Sequence, residues 1–162
     1  MRVAFLVCCL SISAALHAAG TDKQMVIQEL GAVLAWRLGP EAIEGRCRNA
    51  DPDGAAARKA ALDSWRQKND ERIKAVDKRV AEVVPLLKLP LGDGDPVQAV
   101  HKQIETMLLE LAFASKGPEE TRAYCKEEAD PARPRWNDTG MPHIQLSLAA
   151  LYDWQQTQQK QP

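Results

Sequence analysis

The sequence predicts an all-α protein: a small single-domain helical bundle of about five helices, with one long central helix and one disulfide. Three observations carry that expectation. Apolar residues recur at steps of three or four along most of the chain. No segment shows the strict alternation of a half-buried strand. Two cysteines, Cys47 and Cys125, remain once an N-terminal leader is set aside.

The leader is residues 1–19. Arg2 supplies a positive end, Val3 to Ala15 is an apolar run, and small residues follow at Ala18, Ala19 and Gly20. That is the pattern of a signal peptide, with cleavage expected near Ala18 to Gly20. The run is too short to span a bilayer, so no stable membrane span is expected after its removal. Cys8 and Cys9 fall inside it, and neither has the small preceding residue and completed apolar run of a lipidation site. Of the 21 basic residues only Arg2 leaves with the leader, and none of the 22 acids does, so the net charge moves from −1 to −2. A chain so close to neutral has no bulk attraction for nucleic acid.

Export implies a periplasmic or secreted protein and an oxidising surrounding, where two remaining cysteines pair by default. A Cys47–Cys125 bridge closes a loop on the order of 80 residues, which the chain-entropy treatment values at about 4 kcal/mol.

The helical domain is expected over 20–162. Its first helix runs from Lys23 to Leu38, capped by Thr21 or Asp22. Gly39 suits a helix end and Pro40 a helix start, so the chain either restarts over Glu41 to Asn49 or continues as one kinked helix. The turn Asn49-Ala50-Asp51-Pro52-Asp53-Gly54 leads into the long helix, placed at 51–88. Leu62, Trp65, Asn69, Ile73, Val76, Val80, Val83 and Leu87 form one stripe of that helix. The remaining positions mix Arg58, Lys59, Arg66, Lys68, Arg72, Lys74, Lys78 and Arg79 with acids, which reads as a solvated face rather than a nucleic-acid stripe. Asn69 is the one polar member of the stripe. It either bonds to nearby backbone or water, or lies buried and fixes helix register.

Pro85 bends or ends the long helix. Gly92-Asp93-Gly94-Asp95 is a tight loop that lacks the later bidentate acid of a calcium loop. Asp95 followed by Pro96 is a strong helix start. The helix from Pro96 to Ser115 carries the most hydrophobic face of the domain, through Val97, Val100, Ile104, Met107, Leu108 and Leu111, and is expected to lie centrally. Gly117-Pro118 opens the next helix, Pro118 to Glu128, whose Thr121, Arg122, Tyr124 and Cys125 pack or point toward Cys47. Residues 128–142 form an irregular loop held out of helix by Pro131, Pro134, Gly140 and Pro142. Pro142 opens the last helix, with Ile144, Leu148, Leu151, Tyr152 and Trp154 or Gln155 inward. Residues 156–162 form a frayed polar tail.

Few residues suggest chemistry. His101 and Glu105 stand one helical turn apart, a spacing at which a carboxylate can orient a base or share a metal. His143 is the only other histidine of the domain. Glu119, Glu120, Glu127, Glu128 and Asp130 are better explained by helix ends and solubility than as paired catalytic acids. No nucleophile stands at a recognisable spacing, and we expect no cofactor, no metal and no catalytic centre. Asn137-Asp138-Thr139 matches a glycosylation acceptor, of consequence only in a host that glycosylates.

The segment Arg133-Pro134-Arg135-Trp136 is the best candidate for a contact. Arginine and tryptophan dominate interface hot spots, and a loop can present them without disturbing the core. The opposing reading folds Trp136 back onto the bundle as a lid. The leading functional expectation is an exported, non-catalytic protein-binding factor of inhibitor or immunity type, with Arg133, Arg135 and Trp136 as partner-binding residues. The alternatives are a helical carrier of a small apolar ligand, and a hydrolase or metal site using His101 and Glu105. The sequence leaves oligomeric state open.

Overall fold

The computed structural model describes residues 3–130 and 141–160, and over these the regular secondary structure is all α-helix. Five helices follow in order: α1 (Val3–Ala50), α2 (Ala55–Leu87), α3 (Pro96–Phe113), α4 (Pro118–Ala129) and α5 (Met141–Gln159). Helices α1 and α2 each pack against all four of the others, so two long helices share the centre of the bundle. Among the described residues, no helix is long and apolar enough to cross a membrane.

The main core lies where the stripes of α1 and α2 meet. Val26, Leu30, Val33 and Leu34 of α1 interleave with Val76, Val80, Val83, Val84 and Leu87 of α2. Val100 of α3 and Ile144 and Leu151 of α5 close it. Spacing explains the match, because both helices present valine and leucine at three- and four-residue steps. Trp36 and Trp65 extend the contact toward the middle of both helices, with ring centroids 5.3 Å apart and tilted by 57°.

Helix α1 does not stop at Gly39-Pro40. It runs unbroken through Pro40, as the single-helix alternative requires. Proline here removes the hydrogen bond that would reach Trp36, a cost near 3 kcal/mol in an exposed helix. Both Gly39 and Pro40 are buried against the bundle, which offsets it. Across the interruption Arg37 pairs with Glu41 at 2.9 Å and with Asp77 of α2 at 3.1 Å, while Arg66 of α2 pairs with Glu41 at 2.9 Å. Burial opposes the charged form of Glu41, but hydrogen bonds and attraction from Arg66 and Arg37 outweigh it and hold the carboxyl below its usual range. For Arg37 too burial is outweighed, by Glu41 and Asp77, and the guanidinium is held above its usual range.

Helix α2 also runs past its proline, Pro85, and ends at Leu87 because Lys88 turns left-handed with φ 47° and ψ 51°. The expected stripe is buried from Leu62 to Leu87, with Ile73 half-buried. Asn69 is buried, yet its bonds stay local. Its Nδ2 donates to the Trp65 carbonyl at 2.9 Å, and Arg72 donates to its Oδ1 at 3.2 Å. It therefore satisfies its own helix and fixes no interhelical register.

Further expectations need correction, and the first is the cap at Thr21 or Asp22, since α1 begins at Val3 and both residues lie within it. Helix α3 does not lie centrally: it packs on α1 and α2 from one side and fully buries only Val100 and Phe113. Its start follows the expected pattern, with the Asp95 side chain accepting from Val97 N at 2.8 Å and Pro96 in the first turn. Helix α5 continues to Gln159, so the tail placed at 156–162 is helical over its first four residues. Gln155 is buried and accepts a hydrogen bond from Arg79, whose guanidinium also lies over the Tyr152 ring at 4.7 Å. Tyr152, expected inward, is exposed and serves as the platform for that arginine.

Replacing Leu34 with alanine should cost about 2–5 kcal/mol in urea unfolding, since the side chain is fully enclosed. A smaller effect is expected at Glu41. Its lowered folded pKa adds stability that is present above the ordinary carboxylate range and is lost as pH falls through the folded value. The group is partly exposed, so the gain is ~0.5 kcal/mol after screening. The stability gap between wild type and Glu41→Gln should be open near pH ~6 and closed near pH ~3, and a gap that widens on acidification contradicts the assignment.

Candidate functional site

At the end of the bundle away from the main core, α1, α2 and α4 are fastened together by the disulfide and by one buried arginine. Cys47 and Cys125 are bonded, with Cα atoms 5.2 Å apart and 78 residues between them in sequence. Both are fully buried, and Phe113 of α3 joins them in a small second core flanked by Ile43, Leu109 and Tyr124. Phe113 and Tyr124 meet edge to face at 5.2 Å.

Beside the disulfide lies Arg58, 1 % exposed. Its Nε donates to Glu44 Oε2 at 2.9 Å. Its Nη1 donates to Asp51 Oδ2 at 2.7 Å and to the Cys125 carbonyl at 3.0 Å. Its Nη2 donates to the Cys47 carbonyl at 3.1 Å and to the Asp51 carbonyl. A guanidinium has five N–H donors, and all five are used. The acceptors include the backbone carbonyls of both half-cystines, so arginine and disulfide hold the same pair of helices. Glu44 and Asp51 are themselves buried, and Arg48 approaches the second oxygen of Glu44 at 3.6 Å from the surface.

Gly54 makes this packing possible. A Cβ at that position would collide with Asp51 Oδ2 and Arg58 Nη1 and would press on Ala129 of α4 at 3.0 Å. The backbone there is ordinary, with φ −83° and ψ −4°, so glycine is required for space and not for conformation.

Arg58 therefore does not belong to the solvated face that the sequence predicts for it. Alternating charge along α2 hides it, because its neighbours do behave as surface pairs: Lys59 with Asp63, and Lys74 with Asp70 and Glu71. The overlooked signal was register. Arg58 stands four residues before Leu62 and extends the buried stripe by one turn. Glu44, Cys47 and Asp51 share the same three- and four-residue spacing on the facing segment.

The other sequence candidates are dispersed. His101 is half-buried on α3 with Nε2 enclosed and, among the described residues, without a hydrogen-bond partner, while Glu105 is exposed. His143 is exposed at the start of α5. Among the described residues, no group of three or more His, Cys, Asp or Glu is arranged to hold a metal. Arg133, Arg135 and Trp136, and with them Asn137, lie outside the described residues.

What sequence reasoning missed on the surface is the outward side of α3. Met107 and Leu111, one turn apart, are 40 % and 77 % exposed. The apolar face of this helix is wider than the strip that α1 and α2 cover, so its C-terminal half presents large side chains to solvent.

Comparison of the chain with protein-family models, with curated proteins and with solved structures finds no match. The fold and its surfaces are the basis for a functional reading.

Arg58→Met should destabilise the protein by about 3–5 kcal/mol, because it strands two buried carboxylates without their cation. Gly54→Ala should weaken the same node from outside it. Removing the disulfide through Cys47→Ser with Cys125→Ser should cost about 4 kcal/mol. Chemical unfolding of the three variants checks this, and an Arg58→Met protein as stable as wild type would show that the node is dispensable.

Proposed function

We propose that this protein is an exported helical binding factor of the periplasm or extracellular space that acts by holding a protein partner. The observation that carries the reading is the pair Met107 and Leu111, large apolar side chains set outward on a helix whose other side is fixed to the bundle. Exposed apolar groups on a rigid helix face are the usual material of helix-mediated recognition. The frame beneath is stiff at that end, since Phe113, on the same helix, packs against the disulfide.

Three further features support the reading. The leader pattern over residues 1–19 directs the chain out of the cytoplasm. A disulfide suits an oxidising compartment. The sequence Arg133-Pro134-Arg135-Trp136 supplies residue types that dominate protein interfaces.

The test is capture of a partner from a cell-envelope extract by immobilised protein, with bound proteins identified by mass spectrometry. Leu111→Glu, and separately Arg135→Ala with Trp136→Ala, should remove the specifically captured protein while the melting curve stays where it is in wild type. Capture that survives both changes refutes the proposal.

A further inference from the structure

We propose that the cleft between the end of α1 and the start of α4 binds a phosphate group through Arg46, Lys116 and Arg122. The cleft has a volume of about 390 Å³, and Asn49 and Thr121 also line it. Three cations therefore face one groove in a chain whose net charge is slightly negative. Among the described residues none of the three forms an ion pair, in contrast to Arg37, Arg58, Lys59, Arg66, Lys74 and Arg79, each of which meets a carboxylate.

Neutral groups hold the three cations in place. Arg46 lies over the Phe113 ring at 5.9 Å and Lys116 over the Tyr124 ring at 5.4 Å. Lys116 also donates to the Ala112 carbonyl, and Arg122 Nε donates to the Ala50 carbonyl at 3.3 Å. Each of those two carbonyls belongs to a helix C-terminus, where a cation is favoured. The contacts consume one donor of Lys116 and one of Arg122, so two N–H groups on the lysine and four on the arginine are left over. Among the described residues no acid lines the cleft. Glu120, in the first turn of α4, is engaged elsewhere, accepting from Gly117 N at 2.9 Å, and Glu110 shares with Arg46 a separate hollow beside Phe113.

The cleft is also prearranged. Arg46 precedes Cys47, and Arg122 stands one turn before Cys125, so the disulfide fixes the distance between its two walls. Cations held apart at set positions with unspent donors match a tetrahedral oxyanion, which offers acceptors on every side, better than a single carboxylate. The phosphate can be free or can belong to a lipid head group.

The experiment uses the intact purified chain at low salt. One arm titrates inorganic pyrophosphate by calorimetry; the other measures co-sedimentation with phosphatidylglycerol vesicles against phosphatidylcholine vesicles. Binding in the first arm identifies free phosphate as the source, and binding only to the anionic vesicles identifies the head group. In whichever arm binds, Arg46→Gln with Arg122→Gln should weaken affinity by at least about tenfold. Lys68→Gln, which removes an exposed cation of α2, should leave it unchanged. Arg46→Glu alone reads the same site should the double variant not fold, because among the described residues the Arg46 side chain makes a ring contact and no hydrogen bond to the backbone. Binding in neither arm, or binding that the Arg46 variants leave intact, overturns the proposal.

Discussion

One guanidinium decides how the disulfide end of this protein is built. Arg58 is buried with two carboxylates, and burying charge is costly unless every donor is met. All five of its donors are met, and the acceptors come from α1, from the turn after it and from α4. That requirement sets much else. It needs Asp51 folded back into the turn, Gly54 without a side chain, and the carbonyls of Cys47 and Cys125 within reach of the same group. The disulfide and the arginine then restrain the same helices by different means, one through the covalent chain and one through polar geometry. Their contributions to stability should not simply add, since each presupposes the positions that the other enforces.

The far end of the bundle obeys a different rule. There the α1 and α2 stripes of valine and leucine meet directly, and α5 seals them with Ile144 and Leu151. Polar contacts at that end lie along the edges: Arg79 with Gln155, and Ser147 with Glu29. The molecule is thus held by apolar packing at one end and, at the other, by a polar knot in which every donor of Arg58 is met. Helix α3 joins the two through Val100 and Phe113, and its Met107 and Leu111 are left exposed.

Much of this was legible in the sequence because periodicity reports burial. The stripe from Leu62 to Leu87, the start at Asp95-Pro96 and the pairing of Cys47 with Cys125 all follow from local rules and simple elimination. What was not legible depends on tertiary context. Gly39-Pro40 has the local grammar of a break, but burial of both residues carries the helix through. Arg58 has the local grammar of a surface cation, and only the acids and carbonyls brought to it from elsewhere make it a core residue. The hydrophobic face of α3 suggested a central position, yet width of an apolar face does not say how much of it a neighbour will cover. The cationic cleft was equally hidden, because Arg46, Lys116 and Arg122 are scattered in sequence and meet only where the bundle closes. The arginine–tryptophan segment was chosen on residue type alone and lies outside the described residues.

The wide separation of the two half-cystines has a consequence for how the molecule comes into being. A ribosome adds about 5–20 residues per second, so residue 47 emerges some 4 to 16 seconds before residue 125. During that interval Cys47 lacks the partner it has in the folded chain, and the segment between the two is made without that covalent tie. The sulfur–sulfur bond therefore cannot precede synthesis of α2, α3 and the part of α4 that its loop encloses.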